Sequence, residues 1–169
     1  MYLIKDIYQE LGFVGEENEA ILTKYTRSLI IEWACRSGVK NCVQDSFAML
    51  INMINNSIAV PIDVQSAVYC GALKEFDTSS EIEVMKSLFN KVATSKDQNE
   101  RDRVTNGMGC VSNETSLEFL LQESLNPSSV FRQDEITGVY LSVLKGQKNG
   151  ASYVLKFLKT NYEQLFMAE

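Results

Sequence analysis

The sequence predicts an all-α chain, and three observations support this. Apolar residues recur at helical spacing almost throughout the 169 residues, and no stretch shows sustained alternation of apolar and polar residues. Two prolines and nine glycines are few for this length, so long segments run uninterrupted. The connections are short, which places successive helices antiparallel. We therefore expect a single helical domain over residues 1–169, an irregular HEAT- or armadillo-like α-solenoid of about nine helices in antiparallel pairs.

The first four predicted helices are defined by periodic apolar positions and by end signals. Gly12 ends the first helix, and Gly38 ends the second as a C′ glycine. Asn41 is the expected N-cap of the third helix, and Pro61 suits the first turn of the fourth. Trp33 lies on an apolar face of the second helix, where we expect it to pack in the core. The predicted spans are 2–11, 17–37, 41–55 and 61–74.

Five further helices follow the same pattern in the second half of the chain. Ser79 or Ser80 is the expected cap of the fifth helix, and Ser112 or Asn113 that of the seventh. Residues 126–128, Asn-Pro-Ser, form a turn. The predicted spans are 80–93, 96–109, 113–125, 132–145 and 151–167.

Composition excludes several functions for this chain. The net charge of −6 argues against nucleic acid as a partner, because phosphate backbones attract basic surfaces. The chain contains no histidine, which rules out Ser-His-Asp and Cys-His catalysis and any histidine-ligated zinc site. Its four cysteines form no C-x-x-C pair, and Gly107 and Gly109 do not make a phosphate loop. We therefore predict no catalytic residue, no metal ligand and no cofactor within these residues.

The four cysteines leave two interpretations open. Cys35 and Cys42 flank a short turn between two predicted helices, close enough for a disulfide. Cys70 and Cys110 would close a longer loop, but four reduced cysteines in a cytosolic protein fit the spacing equally well. Two sequons, at Asn55 and Asn113, are candidate glycosylation sites and favour an oxidising compartment. The candidate disulfide cysteines are Cys35, Cys42, Cys70 and Cys110.

One stretch carries a family resemblance. Residues 27–38 read Arg-Ser-Leu-Ile-Ile-Glu-Trp-Ala-Cys-Arg-Ser-Gly and lead to Cys42. This pattern resembles the C-terminal helical domain of the aminopeptidase N family of zinc metallopeptidases, which includes endoplasmic reticulum aminopeptidases. Further segments similar to family motifs follow in the same order. They are residues 8–13, 61–70, 109–110, 132–134 and 157–166.

The resemblance implies an architectural role. It implies disulfides Cys35–Cys42 and Cys70–Cys110, and a chain that is part of a longer aminopeptidase extending at both ends. The family's zinc motif (HExxH) and its GAMEN segment lie in upstream domains and are absent from this sequence. We therefore expect a non-catalytic module that packs on the upstream catalytic domain, walls the peptide-binding cavity and supports its opening and closing. Zinc is expected in that upstream domain, and the parent in an extracellular or membrane-anchored location.

Some positions depart from the family pattern or allow two roles. Gln65 stands where the family has an arginine, so any ion pair or substrate contact made there is in doubt. Arg27, Tyr69 and Arg132 are candidates to face the cavity, although a structural ion pair is the favoured role for Arg27. The rival functions are a stand-alone helical scaffold for a partner helix and the receptor surface of a catalytically dead relative. Faces left uncovered in the isolated chain predict self-association.

Overall fold

The computed structural model describes residues 2–16, 18–76 and 78–166. Every regular element in these ranges is helical, with ten α-helices, two 3-10 turns and no strand. The prediction of an all-α chain with about nine helices is confirmed. The chain divides into two compact units, Met1–Glu75 and Phe76–Glu169.

The first unit contains four helices. The second helix packs on the first, third and fourth, and the fourth also packs on the third. The hydroxyl of Tyr8 donates to Oδ2 of Asp45 at 2.7 Å, which ties the first helix to the third. Ile31, Leu50 and Val68 are fully buried between these helices. The helices are α1 (Tyr2–Leu11), α2 (Ile21–Arg36), α3 (Lys40–Asn56) and α4 (Gln65–Ala72), with a 3-10 turn at Ile62–Val64.

The second unit contains six helices. The fifth helix of the chain packs on the sixth and seventh, the eighth packs on the sixth, seventh and ninth, and the tenth packs on the ninth. Its core includes the fully buried side chains of Met85, Leu88, Met108 and Leu120. The helices are α5 (Thr78–Thr94), α6 (Gln98–Met108), α7 (Glu114–Glu123), α8 (Ile136–Gly146), α9 (Gly150–Thr160) and α10 (Tyr162–Phe166), with a 3-10 turn at Gln133–Glu135.

The glycine signals predicted the helix ends better than the polar N-cap signals predicted the helix starts. Gly12 and Gly38 have φ of +68° and +75°, as expected where the chain leaves a helix through the left-handed region. Asn41 is not an N-cap: α3 begins one residue earlier, at Lys40, and Val39 occupies the cap position. Ser79 and Ser80 lie inside α5 instead of preceding it.

The last predicted helix, 151–167, is two helices in the structure. α9 ends at Thr160, and Asn161 leaves helical geometry with φ −108° and ψ 21° before α10 begins. The Asn161 side chain donates to the carbonyl of Phe157 at 2.9 Å, so it satisfies a carbonyl at the end of α9. Met167, the predicted end, lies outside the described residues.

Gly109 permits close packing at the end of α6. A Cβ added to Gly109 would overlap the carbonyl of Ser142 in α8. A Cβ on Gly146 would likewise overlap the backbone of Gly109. Gly109, one of the two glycines predicted not to form a phosphate loop, therefore has a packing role. Within the described ranges, no helix is both long and apolar enough to cross a membrane.

Candidate interaction surface

Helix α2 is apolar on two opposite sides. Its buried side carries Ile31, Ala34 and Cys35 against the rest of the first unit. The opposite side exposes large apolar residues, with Leu22 76% and Trp33 55% accessible. At 100° per residue these exposed positions span an arc of roughly 120°. We call this surface the outer face of α2, formed by Ile21, Leu22, Tyr25, Leu29 and Trp33.

The prediction that Trp33 packs in the core is wrong. Periodicity alone marks both sides of α2 as apolar, and the packing of α3 and α4 selects the side that carries Ile31 and Ala34. Trp33 is therefore left on the solvent side. Contiguous exposed apolar residues on one helix face mark a surface that binds another element.

Cys35 and Cys42 fix one end of this helix. They are joined by a disulfide, with their Cα atoms 5.1 Å apart, between the last turn of α2 and the first turn of α3. Lys74 adds a second connection, since its Nζ donates to the carbonyls of Arg36 at 2.6 Å and Cys35 at 3.3 Å. Burial, together with the nearby charge of Arg36, lowers the pKa of Lys74. Cys70 and Cys110 are disulfide-bonded too, and none of the cysteines in the described ranges is free.

Arg27 is engaged inside the first unit. Its guanidinium is ion-paired with Glu19, and its Nη1 donates to the carbonyl of Gly12 at 3.1 Å. These contacts hold the loop between α1 and α2 against α2. Arg27 also borders a pocket of about 270 Å³ that is lined in part by Lys24 and Asp63. The structural ion pair is the role the geometry supports.

Tyr69 and Arg132 lie in contrasting environments. Tyr69 is fully buried, and its hydroxyl lies 3.8 Å from Sδ of Met53. Arg132 is exposed, and its Nη1 donates to Oε1 of Gln98 at 2.8 Å. The expectation that Arg27, Tyr69 and Arg132 face a peptide cavity stays a prediction.

An ion pair in the second unit was missed by the sequence analysis. Arg101 is buried in α6, and its Nε and Nη2 donate to the two carboxylate oxygens of Glu135 at 2.7 and 2.5 Å. The guanidinium also donates to the carbonyls of Val92 and Val130. The hydrogen bond from Arg101 lowers the pKa of Glu135 to about 2. A local signal for Glu135 does exist, because its position three residues after Arg132 is the capping-box spacing.

The two sequons occupy different settings. Asn55 is exposed in the last turn of α3. Asn113 is the N-cap of α7, as predicted, with its Oδ1 accepting from the backbone N–H of Ser116 at 2.9 Å. No group of three or more acidic, cysteine or histidine side chains in the described ranges is arranged to hold a metal ion.

These features define an all-helical module with a disulfide-fixed helix and an exposed apolar helix face. The chain matches the family model of the ERAP1-like C-terminal domain over residues 1–168, and it belongs to that family.

Three relatives that the chain resembles are aminopeptidases. The chain is 24% identical to aminopeptidase N of Plutella xylostella over 166 residues, which is 98% of this chain and 17% of that protein. It is 23% identical to membrane alanyl aminopeptidase of Heliothis virescens over 94% of this chain, and 27% identical to aminopeptidase N of Rattus norvegicus over 86%. The match covers 15% of each of the last two proteins. The chain therefore spans about a sixth of the length of the three relatives.

Proposed function

We propose that this chain is a non-catalytic C-terminal module of a zinc aminopeptidase, which packs on the parent's preceding domains, walls its peptide-binding cavity and supports opening and closing. The outer face of α2 carries the proposal. Five large apolar side chains with exposures between 55% and 76% on one helix face are the surface that such packing would cover. The match to a C-terminal domain family and the small fraction of each relative that is covered both support a longer parent.

Zinc chemistry is proposed to lie outside these residues. The chain has no histidine, and its described residues offer no cluster of ligands that fits a zinc ion. The parent's location as a secreted or membrane-anchored ectodomain, and its removal of N-terminal residues from peptides, belong to the same proposal and rest on the relatives' names and on the disulfides.

The catalytic part of the proposal is tested with the isolated chain. It is incubated with an aminoacyl chromogenic substrate and added zinc, and we expect no turnover. Activity that appears with zinc and disappears with a chelator would contradict the assignment.

The packing part is tested by complementation. The parent's preceding domains are produced without this segment and mixed with the 169-residue chain, and the affinity is measured by calorimetry. Leu29→Ser with Trp33→Ser should weaken binding at least about tenfold, because buried aromatic anchors dominate interface energies. Leu155→Ser, at an equally exposed apolar position in α9, is the matched control and should bind as the wild type does. Absence of binding by the wild type, or equal affinities for all three chains, would refute the role of the outer face.

The same face predicts self-association of the isolated chain. With nothing covering it, sedimentation should show dimers or larger species at high concentration, and the double serine variant should shift these to monomers. A wild-type chain that stays monomeric at high concentration would count against this prediction.

A scaffold that binds a partner helix is the second candidate, because an exposed apolar helix face also suits that role. Thiol counting separates the two. Four free thiols in native protein would favour an intracellular scaffold, and none would favour the ectodomain. The third candidate, the receptor surface of an inactive relative, depends on the sequence of the parent's zinc domain.

A further inference from the structure

The two sequons differ in whether their acceptor nitrogen is already hydrogen-bonded within the described part of the chain. Asn55, of Asn55-Asn56-Ser57, is exposed in the last turn of α3. Its side chain makes no hydrogen bond to any described residue, while Asn56 bonds to Asn52 instead. α3 ends immediately afterwards, where Ser57 adopts a left-handed conformation with φ +55°. The exposed Asn55 amide therefore lies at the end of a helix with no competing partner among the described residues.

In the second sequon, Asn113-Glu114-Thr115, both the oxygen and the nitrogen of the Asn113 side-chain amide form hydrogen bonds. Its Oδ1 accepts from the N–H of Ser116 at 2.9 Å and caps α7. Its Nδ2 donates to Oε2 of Glu81, a side chain of α5 with 0% exposure. The other oxygen of Glu81 accepts from the backbone N–H of Ser112 at 2.5 Å. The Asn113 side chain is therefore a bridge between the start of α7 and a buried carboxylate.

N-glycosylation attaches a sugar at the nitrogen concerned. The Nδ2 atom forms a bond to the anomeric carbon of an oligosaccharide, and the bond from that carbon to the diphosphate oxygen of a polyprenyl diphosphate donor breaks. The amide loses one proton and the diphosphate departs, with no change of oxidation state. At Asn113 the sugar would replace one of the two hydrogens of Nδ2, the atom that contacts the buried carboxylate of Glu81.

Losing that contact would be costly. A carboxylate with no solvent exposure that lacks one of its donors carries the full desolvation penalty. A chain that receives a sugar at Asn113 during synthesis keeps one N–H on Nδ2, but the bulky sugar on the same atom opposes its close approach to Glu81. Such molecules are expected to be excluded from the folded population.

We propose that the folded chain carries an N-linked glycan at Asn55 and none at Asn113, whose side chain acts as a structural cap. The inference rests on the proposed passage of the parent through the secretory pathway.

The test directs the chain into the secretory pathway artificially, so the result does not depend on the natural location of the parent. The 169-residue chain is secreted from eukaryotic cells behind an added cleavable signal. The intact mass of the folded, secreted protein is measured before and after treatment with a peptide amidase that removes N-glycans. Asn55→Gln and Ser57→Ala abolish the first sequon. Thr115→Ala abolishes the second without altering the Asn113 side chain, and Asn113→Gln removes the cap itself.

The expected results are specific to each variant. The wild type and Thr115→Ala should each lose the mass of one glycan on amidase treatment, and Asn55→Gln and Ser57→Ala should lose none. Thr115→Ala should keep the wild-type melting temperature, while Asn113→Gln should lower it. A glycan at Asn113 in the folded, secreted wild type would overturn the proposal, and so would an unmodified Asn55. Locating the full-length parent in its own cells tests the proposed compartment separately.

Discussion

Arg101 and Glu135 form a bidentate ion pair in which both carboxylate oxygens accept from one guanidinium, with side-chain exposures of 4% and 8%. Glu135 also accepts from the backbone N–H of Arg132 at 2.8 Å, so the pair joins α6 to the turn that starts α8. A buried charge pair that is fully hydrogen-bonded costs most when one partner alone is removed.

Neutralising Glu135 should therefore lower stability in a pH-dependent way. We expect Glu135→Gln to reduce the free energy of unfolding at pH 7 by on the order of 3 kcal/mol. The pKa of Glu135 is about 2 in the folded chain, below its ordinary value of 4.5, so the carboxylate stabilises the fold above pH 4.5. That contribution is lost as the pH falls from 4.5 towards 2, and the difference between wild type and variant should shrink over this window.

Urea unfolding at pH 7, 4 and 3 measures this difference. Glu83→Gln is the control, because the Glu83–Lys86 pair is well exposed and should contribute less than about 1 kcal/mol. A constant gap between wild type and Glu135→Gln across the pH range would contradict the assigned pKa.

Shortening a side chain should lower the free energy of unfolding on the buried face of α2 much more than on the outer face. Ile31→Ala should cost about 2–5 kcal/mol, because Ile31 is fully buried and its loss leaves a cavity. Trp33→Ala should change stability by about 0.5 kcal/mol or less, as is usual for surface positions. Urea unfolding of the two variants compares them directly, and a large loss for Trp33→Ala would mean that the tryptophan is buried in solution.

Two glycines provide a matched pair for testing the approach of α6 to α8. Gly109→Ala should destabilise the chain by about 1–3 kcal/mol, since the added Cβ overlaps the Ser142 carbonyl. Gly138→Ala in α8 meets no atom within 4 Å and should stabilise the helix by about 0.5–1 kcal/mol. Thermal unfolding of both variants checks the contrast, which fails if Gly109→Ala is neutral.

Removing the Cys35–Cys42 disulfide should lower stability by about 2.5 kcal/mol in the chain-entropy model for so short a loop. The double variant Cys35→Ala with Cys42→Ala avoids a free thiol, and urea unfolding under non-reducing conditions measures the loss. Peptide mapping of the unreduced wild type should also recover Cys70 linked to Cys110, the pairing that the family resemblance implies. Equal stability of wild type and double variant would contradict the expected contribution.

The sequence predicted elements well where a signal was local. Gly12 and Gly38 end their helices because positive φ strongly favours glycine, and Asn113 caps α7 because its side chain reaches a nearby N–H. Asn41 failed as a cap because α3 starts one residue before it. The break at Asn161 interrupts a segment whose apolar period continues, so periodicity carried no sign of it.

The outer face of α2 could be located only from the tertiary structure. Trp33 and Ile31 are both apolar residues of α2, and only the packing of α3 and α4 decides which one is covered. Glu81 and Asn113 are 32 residues apart, so no local pattern could connect them. The family resemblance supplied the expectation of a missing partner domain, and the position of the outer face follows from the structure.

The Lys74 hydrogen bonds and the disulfide make the end of α2 more resistant to local unfolding than its beginning. At Arg36 and Cys35, opening the last turn would strip Lys74 of two carbonyl acceptors while the crosslink to α3 still restrains the chain. At Ile21 the helix starts after Ala20, which provides no side-chain acceptor for its first amides. α2 should therefore fray from its beginning, and its amide protons should exchange with deuterium in an order that runs from Ile21 towards Arg36.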